Sequence, residues 1–86
     1  MTYKFEEKLR ELIVSSGDSI AIDKITEETD LISDFGFNSI NIIQLVVEIE
    51  STFDIEIDDE NLLQEKLSSY KNLVQMLKGK LGEDWL

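Results

Sequence analysis

Residues 39–53 run Ser-Ile-Asn-Ile-Ile-Gln-Leu-Val-Val-Glu-Ile-Glu-Ser-Thr-Phe, more apolar than one buried helix face requires. At about 100° per residue, Ile42, Leu45, Val46, Ile49 and Phe53 gather into a core stripe. Ile40, Ile43 and Val47 form a second stripe, and Asn41, Gln44, Glu48 and Ser51 fill the remaining arc. Such a helix is either central, with neighbours on both sides, or half-covered, with a strip left for a partner. The chain has 86 residues, which suits one domain with one modest core. Few other elements are left to cover two stripes. The second is therefore expected to be exposed, as binding strips are.

The remaining periodicity predicts an all-α bundle. A first helix is expected from about Tyr3 to Ser15, with Phe5, Leu9, Leu12 and Ile13 on one face and Gly17 as its end. A long loop from about Gly17 to Asn38 follows, pinned to the core by Ile20, Ile22, Ile25, Leu31 and Phe35. Connections of this length are often functional. Within it, Asp30 can cap a short turn over Leu31 to Phe35 that Gly36 ends. After the apolar helix, Ile55 and Ile57 alternate with acids in an extended connection. Asp58 or Asp59 can cap a short helix from Glu60 to Lys66, and Ser68 or Ser69 a last one bearing Tyr70, Leu73, Val74, Leu77 and Leu81. Residues 81–86 are expected to fray, although Trp85 and Leu86 are apolar enough to dock. The expectation is three main helices plus one short one, with the long loop between the first two, in a single domain over residues 1–86.

Composition removes most chemistry. There is no Cys and no His, which excludes disulfides, Cys/His zinc sites, a Cys nucleophile and a Ser-His-Asp triad. No Gly-rich phosphate loop is present, and no carboxylate pair is placed to work across a pocket, so an enzyme is not expected. No apolar run is long enough to span a membrane, and the first residues lack the apolar core of a signal peptide. A cytoplasmic monomer is the expectation. The net charge is −11, and from Glu27 to Glu65 there are twelve acidic residues and no Lys or Arg. That field repels nucleic acid and anionic membranes and steers basic proteins.

Ser39 stands where the loop ends and the apolar helix begins. Backbone N–H groups there lack intrahelical partners and the helix dipole is positive, so a phosphate on the hydroxyl would be stabilised. A serine at a helix start is also often simply the cap. Asn38 is an equally good cap, which would leave the Ser39 hydroxyl free.

The stretch Leu31-Ile32-Ser33-Asp34-Phe35-Gly36-Phe37-Asn38-Ser39-Ile40, followed by Leu45, Val46, Glu50, Phe53-Asp54, Glu56-Ile57 and Asp59-Glu60, resembles the acyl carrier protein family. The resemblance implies that Ser39 carries 4′-phosphopantetheine, derived from coenzyme A, through a phosphodiester. The arm's terminal thiol would hold acyl or aminoacyl groups as thioesters, in a chain with no thiol of its own. It implies a phosphopantetheinyl transferase as one partner. Acyl- or aminoacyl-loading and condensing enzymes with basic docking patches, in fatty acid, polyketide or related synthesis, would be the others. The second helix would be the recognition surface, through Ile40, Ile43, Val47 and Glu48, with Asp34 and Asn38 beside the serine. Amides stand at Asn38, Asn41 and Gln44 where the family often has acids, and such neutrality is more like peptidyl carrier domains. The overall acidity and discrete length are more like stand-alone acyl carriers or D-alanyl carriers.

Two other readings compete. Asp54, Glu56, Asp58, Glu60 and Glu65 fall at positions 1, 3, 5, 7 and 12 of an EF-hand-like calcium loop, but Asp59 stands where that loop needs Gly. Alternatively, the Ile40-Ile43-Val47 strip docks a partner with no cofactor at all.

Overall fold

Capping chemistry sets where each helix begins and ends. A computed structural model of the chain describes residues 3–17, 21–57 and 64–85. Helix α1, Lys4–Ser16, follows Tyr3, whose backbone N–H donates to the Glu6 carboxylate at 2.7 Å. Phe5, Leu9, Leu12 and Ile13 are buried, as their spacing predicts. Gly17 ends α1 in extended backbone, at φ −112°, without the left-handed turn that a capping glycine usually supplies.

Two short helical pieces punctuate the long connection. A 3-10 turn spans Ile22–Lys24, and helix α2 spans Leu31–Phe35. The Asp30 carboxylate accepts from the N–H groups of Ile32 and Ser33 at 2.9 and 3.0 Å, which starts α2. Gly36 ends it at φ 70°, a left-handed conformation that favours glycine. Gly36 N–H donates to Ile32 O, the 5→1 bond of a left-handed helix end, and Phe37 N–H donates further back to Leu31 O. This motif turns Phe37 into the core beside Leu31. Of the expected pins, Ile25 and Leu31 are buried and Phe35 is half-buried, while Ile20 lies outside the described residues. Ile22 does not pin the loop. It is 45% exposed, because the 3-10 turn holds it in a polar recess with Glu6, Glu7, Arg10 and Asp23.

Helix α3, Ser39–Phe53, buries Ile42, Leu45, Val46, Ile49 and Phe53. At about 2 kcal/mol for each such side chain, this stripe is a main source of the driving force for folding. Ile57 is buried and Ile55 half-buried behind it, so the extended connection does tuck its isoleucines inward. Helix α4 covers Gln64–Leu67. Its expected caps, Asp58 and Asp59, and its expected start at Glu60 lie outside the described residues. Helix α5, Tyr70–Lys80, is capped by Ser69, whose hydroxyl accepts from Asn72 N–H at 3.3 Å. It buries Tyr70, Leu73 and Leu77, with Val74 and Leu81 half-buried.

Among the described residues there is no strand. One antiparallel bridge pairs Asp30 with Ser69, through Leu31 N–H to Ser68 O at 2.7 Å and Tyr70 N–H to Thr29 O at 3.1 Å. It ties the start of α2 to the start of α5. A buried polar contact ties α1 to α5: the Tyr70 hydroxyl donates to Glu6 Oε1 at 2.9 Å and accepts from Arg10 Nε at 3.1 Å. The tail corrects the expectation of fraying. Glu83–Trp85 form a 3-10 turn, and the Trp85 ring meets Phe53 edge-on, with centroids 4.9 Å apart. Aromatic burial outweighs the polar Gly82-Glu83-Asp84 stretch there. The fold is all-α, with α1, α3 and α5 as its main helices. None of the described helices is long and apolar enough to cross a membrane.

Candidate functional site

Asn38, rather than Ser39, caps α3. Its Oδ1 accepts from the N–H groups of Ile40 and Asn41 at 2.9 and 3.0 Å. Asn41 Oδ1 accepts in return from Asn38 N–H at 3.0 Å, closing a capping box made of two amides. Ser39 is then the first helical residue, and it is exposed. Among the described residues none hydrogen-bonds its hydroxyl, so the side chain is not consumed in holding the helix. The left-handed turn at Gly36 just before it leads Phe37 into the core, 3% exposed, which fixes where α3 can start.

The second stripe is exposed: Ile40 by 71%, Ile43 by 63% and Val47 by 58%. These three residues lie one, four and eight positions after Ser39 on a 15-residue helix. Ser39 also sits at one end of a groove of about 360 Å³, lined by Ile42, Ile43, Val46, Val47, Glu50 and Leu67. Among the described residues Glu50 is the only carboxylate in that lining, and its Oε2 is engaged by Ile57 N–H at 3.0 Å. The described lining is otherwise aliphatic apart from Ser39 itself.

Charge around the serine is sparse on α3 and denser before it. The first turn of α3 has no acidic residue. Asp34 is exposed, and its Oδ2 accepts from Asp30 N–H at 2.9 Å, so it serves α2 while still facing solvent. Glu48, expected at the recognition surface, is only half-buried and lies just beyond Val47. Asn38, also expected there, is exposed but bound into the cap.

This geometry fits a phosphopantetheine arm. The positive end of a long helix and the lack of a first-turn carboxylate both favour a phosphodiester on Ser39. The groove offers an aliphatic lining starting at the same residue. Two members of the EF-hand-like spacing, Asp58 and Glu60, lie outside the described residues. Of its members, Asp54 ends α3 in a left-handed conformation at φ 54°. Sequence reasoning missed Leu67 as a groove wall and Phe37 as the anchor before the cap. The position of Phe37 directly after the helix-ending Gly36, where an apolar residue often packs back on the helix, was the available signal for the latter.

Residues 7–77 match the family model described as the phosphopantetheine attachment site. The chain is 38% identical over 70 residues to an acyl carrier protein of Thermotoga maritima, covering 81% of this chain and 84% of that protein. It is 37% identical over 73 residues to an acyl carrier protein of Akkermansia muciniphila, covering 85% and 88%. A third acyl carrier protein, from Desulforapulum autotrophicum, is 27% identical over 75 residues, covering 87% and 95%.

Proposed function

This chain belongs to the acyl carrier protein family, with 4′-phosphopantetheine as its prosthetic group, and from that premise we propose that Ser39 is the attachment point. The observation that carries this is the division of labour at the start of α3. Asn38 takes the capping role, and Ser39 keeps an exposed hydroxyl at the positive end of the helix. Attachment forms a bond from Ser39 Oγ to the pantetheine-side phosphorus of coenzyme A and breaks its pyrophosphate, releasing adenosine 3′,5′-bisphosphate. The hydroxyl proton goes to a base on the transferase, since this chain has no His and none of its described residues hydrogen-bonds the hydroxyl. When bound, the arm supplies a terminal thiol that holds an acyl group as a thioester. The protein itself makes and breaks no cargo bonds. It presents the cargo, and the tether raises its effective concentration at each partner's active site.

The cargo we propose is an acyl chain handled by enzymes of fatty acid, polyketide or related synthesis. The aliphatic groove beside Ser39 suits an alkyl chain better than a charged aminoacyl group. Incubation with coenzyme A and a phosphopantetheinyl transferase should add the mass of one arm, located by fragmentation to the peptide bearing Ser39. An arm found on any other serine sinks the assignment.

Docking of the transferase and of later partners is proposed to use Ile40, Ile43 and Val47, with Asp34 and Glu48 meeting basic side chains at the margins. Replacing Ile43 by Asp is expected to lower kcat/KM of arm transfer about tenfold, the cost of losing one well-buried interface contact. Thermal unfolding should barely move, because Ile43 is 63% exposed in the free protein. Transfer rates on the unaltered chain should fall as salt rises. A rate that Ile43→Asp leaves unchanged would remove the strip from the docking surface.

A further inference from the structure

Position 41 lies at two helix ends at once. It is the third residue of α3, where the helix dipole favours a negative group. Its side chain also reaches the end of α1: Asn41 Nδ2 donates to the carbonyl of Ser16 at 2.9 Å. Ser16 is the last residue of α1, and carbonyls in a last turn lack intrahelical donors. No basic residue stands in that turn to meet them. The same amide's Oδ1 accepts from Asn38 N–H and completes the cap of α3. An amide satisfies both ends, because it has an acceptor for one and a donor for the other. A carboxylate would keep the bond to Asn38 and lose the bond to Ser16. It would also set a negative charge against the negative end of α1.

We propose that Asn41 is a positioning residue: its amide clamps the first turn of α3, and with it Ser39, against the end of α1. Neutrality at position 41 is then a requirement of the clamp. It is not a sign of an aminoacyl cargo or of a partner that avoids acids. The functional part of this inference rests on Ser39 being the attachment point.

Asn41→Asp and Gln44→Glu test it, since each adds one negative charge to the same helix. Gln44 is exposed, and among the described residues none hydrogen-bonds its side chain. If charge alone governs recognition by a basic transferase, both variants speed arm transfer from coenzyme A. The clamp requires opposite behaviour. Asn41→Asp lowers kcat/KM about tenfold, the order expected for one lost hydrogen bond to a group left without its partner. Gln44→Glu leaves the rate unchanged or raises it. Amide hydrogen exchange, run on the same samples well below the unfolding midpoint, should quicken in Asn41→Asp at residues 40–42 and not at Leu73 or Leu77. Equal rates for the two variants, or exchange that quickens uniformly along the chain, overturns the clamp. The unaltered protein supplies a check that needs no variant: the side-chain amide protons of Asn41 should exchange more slowly than those of Gln44. Equal exchange also overturns it. If the unaltered chain gains no arm at Ser39, the attachment reading fails by itself, and the exchange comparisons still decide the clamp.

Discussion

Ser39→Ala should gain no mass when incubated with coenzyme A and a phosphopantetheinyl transferase, under conditions in which the unaltered chain gains one arm. The loss is expected to be complete rather than partial, because the reaction needs an oxygen nucleophile at that position and alanine has none. The same variant should unfold within about 0.5 kcal/mol of the original, as exposed substitutions usually do. That second measurement is the informative one. Were Ser39 the cap of α3, its replacement by alanine would cost about 1 kcal/mol. Here the capping bonds come from Asn38, whose Oδ1 accepts from Ile40 and Asn41 N–H. Alanine is also the best helix former for a first-turn position. Asn38→Ala is therefore expected to show the reverse pattern: stability falls by about 1 kcal/mol while the nucleophile remains. An arm that still attaches to Ser39→Ala, or a Ser39→Ala chain that is destabilised as Asn38→Ala is, would refute the division of labour between these two residues.

That division was open in the sequence: two cap-forming residues stand side by side, and only the hydrogen bonds give the cap to Asn38. The stripes of α3, by contrast, were legible. Helical spacing alone separates Ile42, Leu45, Val46, Ile49 and Phe53, all buried, from Ile40, Ile43 and Val47, all exposed. Local chemistry also located α2, since Asp30 and Gly36 bracket it with strong start and stop signals. What escaped was non-local. Nothing in the local pattern says that Ile22 points into a polar recess while Ile25, three residues on, is buried. The pairing of Asp30 with Ser69 depends on two segments 39 residues apart in the chain meeting in space. Asn41 is the clearest case. In sequence its amide reads as a missing acid and so as a clue to cargo. The structure gives it a partner, the Ser16 carbonyl, that lies 25 residues away. Trp85 escaped for a different reason: a polar, glycine-containing tail predicts fraying, and only the presence of Phe53 beneath it makes docking favourable.

The buried contact between α1 and α5 makes a prediction of comparable size about stability at high pH. Tyr70 is fully buried, and its hydroxyl donates to Glu6 Oε1. Burial is the main cause that pushes its pKa from 10.0 up to about 12; the Arg10 hydrogen bond pulls the other way, and the Glu6 carboxylate adds to the rise. Below pH 10 the phenol is protonated in the folded and unfolded chains alike, and its contribution is whole. Between pH 10 and 12 the unfolded chain releases this proton while the folded chain keeps it. Stability therefore drains as pH rises through that window and is lost above it. At about 1.4 kcal/mol for each pH unit separating the two values, the loss totals roughly 3 kcal/mol. Against a typical domain stability of about 5–15 kcal/mol, that is a large share. The measurement needs a control that lacks only this hydroxyl. Tyr70→Phe supplies it. At pH 8 that variant should be less stable by about 1–3 kcal/mol, because Glu6 Oε1 loses its donor. Between pH 10 and 12, urea unfolding of the two chains should then converge, since phenylalanine has no proton to lose and tyrosine forfeits its advantage. If the two chains instead lose stability in parallel across that window, Tyr70 ionises as freely in the fold as outside it. The Glu6–Tyr70–Arg10 contact would then not be the closed, water-excluding link between α1 and α5 that its geometry describes.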